Sequence, residues 1–360
     1  MASQARSEAL ARSRRRAIRE SPSTPAIELF VTASPMLRVK WGMDMKRLAL
    51  LVPAALAILP CLPASSEPYL NRDAATLAPG RFIVQADGFW GASRGAFDSD
   101  RGEVELAATP GSALVRGAGL EARAGLPGAL ELSVRGGYSV QEIKVDRWDS
   151  VSGWAGSDVS KGEGPDDIEV ALKWSVPAVR WLPALAVEAG ARAPLARGPD
   201  RARHFYDRRG NGSWGFPVGA RFTGDGSGPV TAYGSAFWEP SLKRSVTRWN
   251  GTEFDGPHGF VPGEESSFSA GVEVAGNGFR WAIELHESVA GRDGGAAVDA
   301  LRAAGREGET WPEMESLELV PSVSLGGDRI SSLHLALFIP LGGRNIYRVL
   351  AVGGAVRVGL

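Results

Sequence analysis

From residue 81 to the end of the chain, side-chain character changes with a period of two. Ile168, Val170, Leu172, Trp174 and Val176 interleave with Asp167, Glu169, Ala171, Lys173 and Ser175 in one unbroken run. Successive side chains of a strand point to opposite faces, so this run has one apolar face and one charged face. Residues 130–141, 268–274 and 333–339 read the same way. Twelve such segments are expected, at roughly 81–92, 112–125, 129–147, 164–176, 183–195, 213–223, 229–240, 266–275, 279–290, 314–325, 330–340 and 347–360. The fold class is therefore all-β.

The connections sort into two kinds. Leu126-Pro127-Gly128, Gly224 to Gly228, Gly276-Asn277-Gly278 and Gly326-Gly327-Asp328 are tight-turn sequences that follow even-numbered segments, and Pro177 to Leu182 fills the remaining slot. The links after odd-numbered segments are long, polar and rich in Trp, Gly and Asp, with 341–346 the short exception. Turns at one end, loops at the other and an even strand count describe a single transmembrane antiparallel up-and-down β-barrel of about 12 strands. A soluble sandwich has no reason to sort its loops in this way. Aromatic spacing agrees: Phe82 and Trp90 lie eight residues apart on one face, as do Trp214 and Phe222. Eight residues of tilted strand rise roughly 20 Å, close to the height of a lipid-facing band between its aromatic girdles.

Charge is distributed to match. Residues 1–47 carry ten Lys/Arg against four Asp/Glu, residues 48–66 carry none, and the rest of the chain has a net charge of about −7. Met45-Lys46-Arg47 followed by the apolar run Leu48 to Leu59 and by Ala64-Ser65-Ser66 reads as a signal peptide over 45–66, cleaved before Glu67. Residues 1–44 then form an upstream extension that is disordered or precedes the true start of translation. The mature barrel is expected over 67–360, in the outer membrane. An acidic mature chain excludes a nucleic-acid partner. The single cysteine, Cys61, lies in the leader, which excludes disulfides and cysteine metal sites. His204, His258, His286 and His334 show no metal-ligand spacing, and no cofactor motif is present.

With the apolar face against lipid, the other face lines the lumen. The first strands present Asp87, then Glu121 and Arg123, then Glu131 and Arg135. The middle strands present Asp167, Glu169 and Lys173, then Glu188 and Arg192, then Arg221. The later strands add Glu273, Glu284, His286, Glu318, His334 and Arg357. Gln85 and Glu239 share this face. Buried charge is costly unless paired or wet, so the set implies a watery channel or a network of cross-strand ion pairs. Mixed signs argue against a simple ion-selective ring. Trp148, Trp154, Trp249 and Trp311, in the long loops, either gate a solute or anchor at the headgroup level.

The run Gly164-Pro165-Asp166-Asp167-Ile168-Glu169-Val170-Ala171-Leu172-Lys173-Trp174 resembles a strand of the outer-membrane transporter-like family linked to the meta-pathway of phenol degradation. Pro183 to Pro194, Pro340 to Arg344 and the terminal strand are similar as well. The resemblance implies a 12-stranded uptake channel for small, hydrophobic or aromatic solutes. Asp166 stands where that family commonly has Gly, and the chain ends Val356-Arg357-Val358-Gly359-Leu360 rather than in the Phe of many outer-membrane barrels. The expected partners are outer-membrane lipid, the barrel-insertion machinery and a small-molecule solute; these patterns leave the oligomeric state open.

Two rival functions remain. His286 and Ser288, at i and i+2 on one strand, could form the pair of an outer-membrane lipid hydrolase, although alternation points both inward, away from lipid. A plugged barrel with a structural or adhesive role is the other.

Overall fold

The computed structural model describes residues 74–93, 95–97, 103–105, 111–149, 153–177, 183–203, 207–224, 229–326 and 332–360. The segments expected as upstream extension and signal peptide, 1–44 and 45–66, lie outside the described residues. The described residues form a closed barrel of twelve antiparallel strands. These are β1 (Phe82–Ser93), β2 (Gly111–Leu126), β3 (Leu130–Asp149), β4 (Ile168–Ser175), β5 (Ala184–Ala193) and β6 (Val218–Thr223). The second half comprises β7 (Val230–Glu239), β8 (Glu265–Ala275), β9 (Phe279–Ala290), β10 (Met314–Leu325), β11 (Ser332–Arg344) and β12 (Leu350–Gly359). Each strand pairs with its neighbours in sequence, and β1 pairs β12 from Ile83↔Gly359 to Ala92↔Leu350, which leaves no free sheet edge.

The outer face is apolar, as the alternation requires. Phe82 and Trp90 are 52% and 50% exposed, and Trp214 and Phe222 are 48% and 41% exposed, whereas Ile83, Gln85 and Phe89 between the first pair are buried. Trp174, Phe279 and Trp281 lie outward near the turn end; Tyr138, Trp238 and Phe268 lie outward near the loop end.

Departures from the expected segments have local reasons. Residues 213–217 are not regular strand, because Pro217 has no N–H to donate and Gly215 makes only isolated bridges, to Arg192 and Ser241. The expected polar link 148–163 instead carries the strand Gly153–Pro165, which pairs with the outer half of β3 and extends that hairpin beyond β4. Between Tyr138↔Pro165 and Arg135↔Glu169 the register gains one residue, a bulge at Asp166 and Asp167.

The loop between β7 and β8 folds as a second hairpin, Arg244–Trp249 with Thr252–Phe260, turned by Asn250 (φ 43°) and Gly251 (φ 87°). Two residues at positive φ are what a tight hairpin turn demands, and Asn-Gly supplies them. Helix α1 (Ala296–Ala303) lays Ala297, Val298 and Leu301 on Trp249 and Phe260 of this hairpin. The loop-end cap thus has its own small hydrophobic core. Among the described residues no helix is long and apolar enough to cross a membrane.

Candidate functional site

Near the turn end, the inward face carries a belt of alternating charge. Arg123 of β2 lies 3.7 Å from Glu131 of β3, and Lys173 of β4 lies 3.0 Å from the same Glu131. Lys173 stands in register with Glu188 of β5, which accepts a 2.9 Å bond from Arg221 of β6. Glu121 adds a contact to Arg123, and Arg357 of β12 donates to Gln85 of β1 at 3.0 and 3.2 Å. All are buried. Five neighbouring strands thereby place opposite signs side by side, an arrangement that offsets desolvation because each buried charge has a partner.

Residues 74–80 run across this end of the lumen. The Leu77 amide donates to Glu131 at 2.8 Å, Ser175 donates to the Ala74 carbonyl at 2.7 Å, and the Ala74 amide donates to Thr223 at 3.0 Å. The segment leaves β1 and reaches β6, five strands round a twelve-stranded wall, so it spans the mouth nearly from side to side. The alternation signal could not reveal this strap, because it contains no strand.

Above the belt, one guanidinium divides the lumen. Arg192 lies 2.7 Å from Glu239, 3.4 Å from Glu169 and 3.5 Å from Glu265. Two cavities meet there. The first, about 350 Å³, is lined by Asp87, Arg135, Asp166, Asp167, Arg208 and Arg209 together with Arg192. The second, about 360 Å³, lies toward β7 to β10 and is lined by Phe237, His286, Ser288, Met314, Glu315 and Ser316 as well as Glu239 and Glu265. Trp311 lines both.

The loop between β5 and β6 roofs the first cavity. Arg209 reaches in to Ser139 and, at 2.9 Å, to Asp166, whose carboxylate accepts from Ser139 at 2.5 Å. Asp167 accepts the Ala196 amide at 2.8 Å and so pins the start of the same loop. Arg208 turns the other way, into a doubly bonded pair with Asp293, and stacks 3.7 Å from the Trp311 ring centroid. Burial pulls both guanidinium pKa values down, opposed by Asp293 for Arg208 and by Asp166 for Arg209. Without those carboxylates, neither charge could sit there.

The wall of β9 and β10 is polar but loosely partnered. His286 is 8% exposed and its Nδ1 has no partner, while Glu318 stands beside it in register. Ser288 bonds Ser316 at 2.7 Å rather than His286. Glu284 is buried on the same face. Glu273 lies 3.7 Å from Arg280, and His334 is held between Ser324 and Ser332 at 2.6 and 2.7 Å. On β1 and β10 to β12 an apolar cluster of Phe89, Val320, Ala336, Phe338, Ala351 and Ala355 packs on the inward face, beside polar and charged groups of the same strands. The residue-by-residue reading missed this apolar patch among the polar groups.

Other residues of the site escaped the sequence reading. Asp166 was assigned no inward role, because strict alternation turns only one of two adjacent residues inward; the bulge brings in both. Glu265, Arg208, Arg209 and Asp293 lie at or beyond strand ends, where periodicity carries no signal. Trp249 is corrected outright: it is fully buried under α1, so it neither gates the lumen nor anchors in headgroups. The side chains of Trp148 and Trp154 lie outside the described residues.

No family model matches this chain, and no curated protein matches it in sequence. Among solved structures, an outer membrane channel of Pseudomonas putida F1 aligns with a TM-score of 0.60 at 11% identity, covering 80% of this chain and 98% of that one. The toluene transporter TbuX of Ralstonia pickettii aligns with a TM-score of 0.38 at 9% identity over 79% of this chain and 90% of that one. At such identities the likeness speaks for the fold: this is an outer-membrane-type β-barrel.

Proposed function

We propose that the barrel is an outer-membrane channel for small solutes, and that the inward residues from Asp87 to Arg357 named above line their path. The observation that carries this reading is the pair of cavities meeting at Arg192 inside a closed wall whose outer face is apolar and rimmed by aromatic side chains. Such an exterior suits lipid, and a wet, charged interior suits a path for solutes. Small aromatic or hydrophobic compounds are the first solutes to try, given the sequence resemblance to the family linked to phenol degradation. The strap at one end and the Arg208–Asp293 roof at the other favour a gated channel over an open pore.

Planar-bilayer conductance of the purified barrel tests the reading, with a heat-modifiable band in the outer-membrane fraction as its companion. Discrete conductance steps are expected. A folded barrel that stays closed at all voltages, in cells that admit small aromatic solutes equally well without it, leaves the plugged structural reading in its place. The lipid-hydrolase reading draws no support from the geometry, since the Ser288 hydroxyl is engaged by Ser316 and both face the lumen.

A further inference from the structure

The second cavity differs from the rest of the lumen in its charge balance. Its lining holds four carboxylates, on Glu169, Glu239, Glu265 and Glu315, against the single guanidinium of Arg192. Arg344, outside the lining, lies 3.8 Å from Glu315 and offsets one of them. An acidic surplus therefore faces the cavity from β4, β7, β8 and β10. Both of its large aromatic rings already accept a cation: Arg208 lies 3.7 Å from the Trp311 centroid, and Arg221 lies 4.6 Å from that of Phe237. Pro217, Val289, Ala290 and Met314 supply apolar wall.

A separate observation marks the cavity as a place for a ligand. His286 is more than nine-tenths buried, lines the cavity and has an Nδ1 without a partner. The groups that face it are Glu318 from β10, Ser269 from β8, and Glu284 and Ser288 from its own strand; Ser269 and Ser288 bond other serines. Nδ1 itself is closed off from the cavity, so a ligand would meet the other edge of the ring, and a hydrogen bond there would offset part of the cost of burying the imidazole.

Resting on the channel reading for its physiological role but not for its test, we propose that this cavity is a binding site for a small organic cation, an ammonium group on an apolar or aromatic body. The carboxylates hold the charge, Phe237 and Trp311 take the body, and a polar atom of the solute meets His286. Carboxylate surplus repels anions, and aromatic faces attract an ammonium more than its neutral isostere.

The experiment compares three isosteric probes, phenethylammonium, 2-phenylethanol and phenylacetate, binding to the purified full-length barrel in detergent at low salt, followed by tryptophan fluorescence and calorimetry. The ammonium should bind about tenfold or more tightly than the alcohol, with phenylacetate weakest. In the doubly substituted Glu239→Gln, Glu265→Gln barrel, its folding checked by heat-modifiability, that preference should fall to near unity. Equal or tighter binding of the alcohol, or binding of none of the three, overturns the proposal, and because this comparison uses the unaltered protein it does not depend on the variant folding. Conductance is read separately on the same preparation. Ion flow without ammonium preference sinks the cation site and leaves the channel, whereas ammonium binding without conductance sinks the channel and leaves the site.

Discussion

The belt near the turn end and the chamber around Arg192 are built from the same residue types, yet they solve opposite problems. In the belt, Arg123, Glu131, Lys173, Glu188 and Arg221 follow one another strand by strand with alternating sign, and each buried charge touches its opposite. In the chamber, three carboxylates converge on one guanidinium and His286 lacks a partner at Nδ1. A network whose charges are all paired holds strands in register and has little left to offer a solute. An unsaturated one is less stable alone and has charge to spare for a ligand.

The largest effect should come from breaking the belt. Lys173→Met leaves Glu131 and Glu188 facing each other in a buried setting, and removing one partner from such a pair costs about 3–5 kcal/mol. The heat-modifiable gel shift of this variant should occur at markedly lower temperature, while Glu265→Gln in the chamber should leave it nearly unchanged. Equal losses in both variants would erase the distinction between the two regions.

Arg192→Met attacks the chamber itself. Glu169, Glu239 and Glu265 lose their common counter-charge, so the constriction should widen under mutual repulsion and preference for cations should rise. Reversal potential in a salt gradient reads the selectivity, and single-channel conductance reads the width. An unchanged reversal potential would mean that ions do not pass Arg192.

Much of this architecture was legible in the chain. Period-two alternation and Gly-rich turns are local signals, so twelve strands and the sorting of short and long links could be read without any knowledge of pairing. What could not be read is long-range. The acids and bases of the inner face looked mixed when taken in sequence order, and only strand pairing separates them into a balanced belt and an acidic chamber. Arg208 and Asp293 are 85 residues apart in loops without periodicity. The Asn250-Gly251 turn carried a clear hairpin signature, but it sat inside a segment treated as loop.

The strap tests how the two regions communicate. Ser175 and Thr223 hold Ala74 by one hydrogen bond each, so Ser175→Ala with Thr223→Val removes two bonds worth about 1 kcal/mol apiece while leaving the belt's ion pairs intact. The ratio of open to closed channel in bilayers should rise by about tenfold or more, because about 2 kcal/mol shifts a two-state equilibrium by more than tenfold. Chamber selectivity should stay the same. A change in selectivity with no change in opening would instead place the strap in the solute's path rather than across its exit.

The smallest effect is expected at the turn that leads into β3. Ala129 adopts φ 58°, a conformation that costs a residue with a Cβ roughly 1–2 kcal/mol relative to glycine. Its carbonyl accepts the Ser175 amide at 3.0 Å, which ties the turn to the end of β4 just below Lys173. Ala129→Gly relieves the strain but adds about 0.4–1 kcal/mol of unfolded-state freedom, so the net gain should be no more than about 1.5 kcal/mol. Because the turn already fixes the register of Glu131 against Lys173, the substitution should raise the heat-modifiability temperature slightly and leave conductance alone. A loss of stability would show that the belt depends on the stiffness of this turn as well as on its charges.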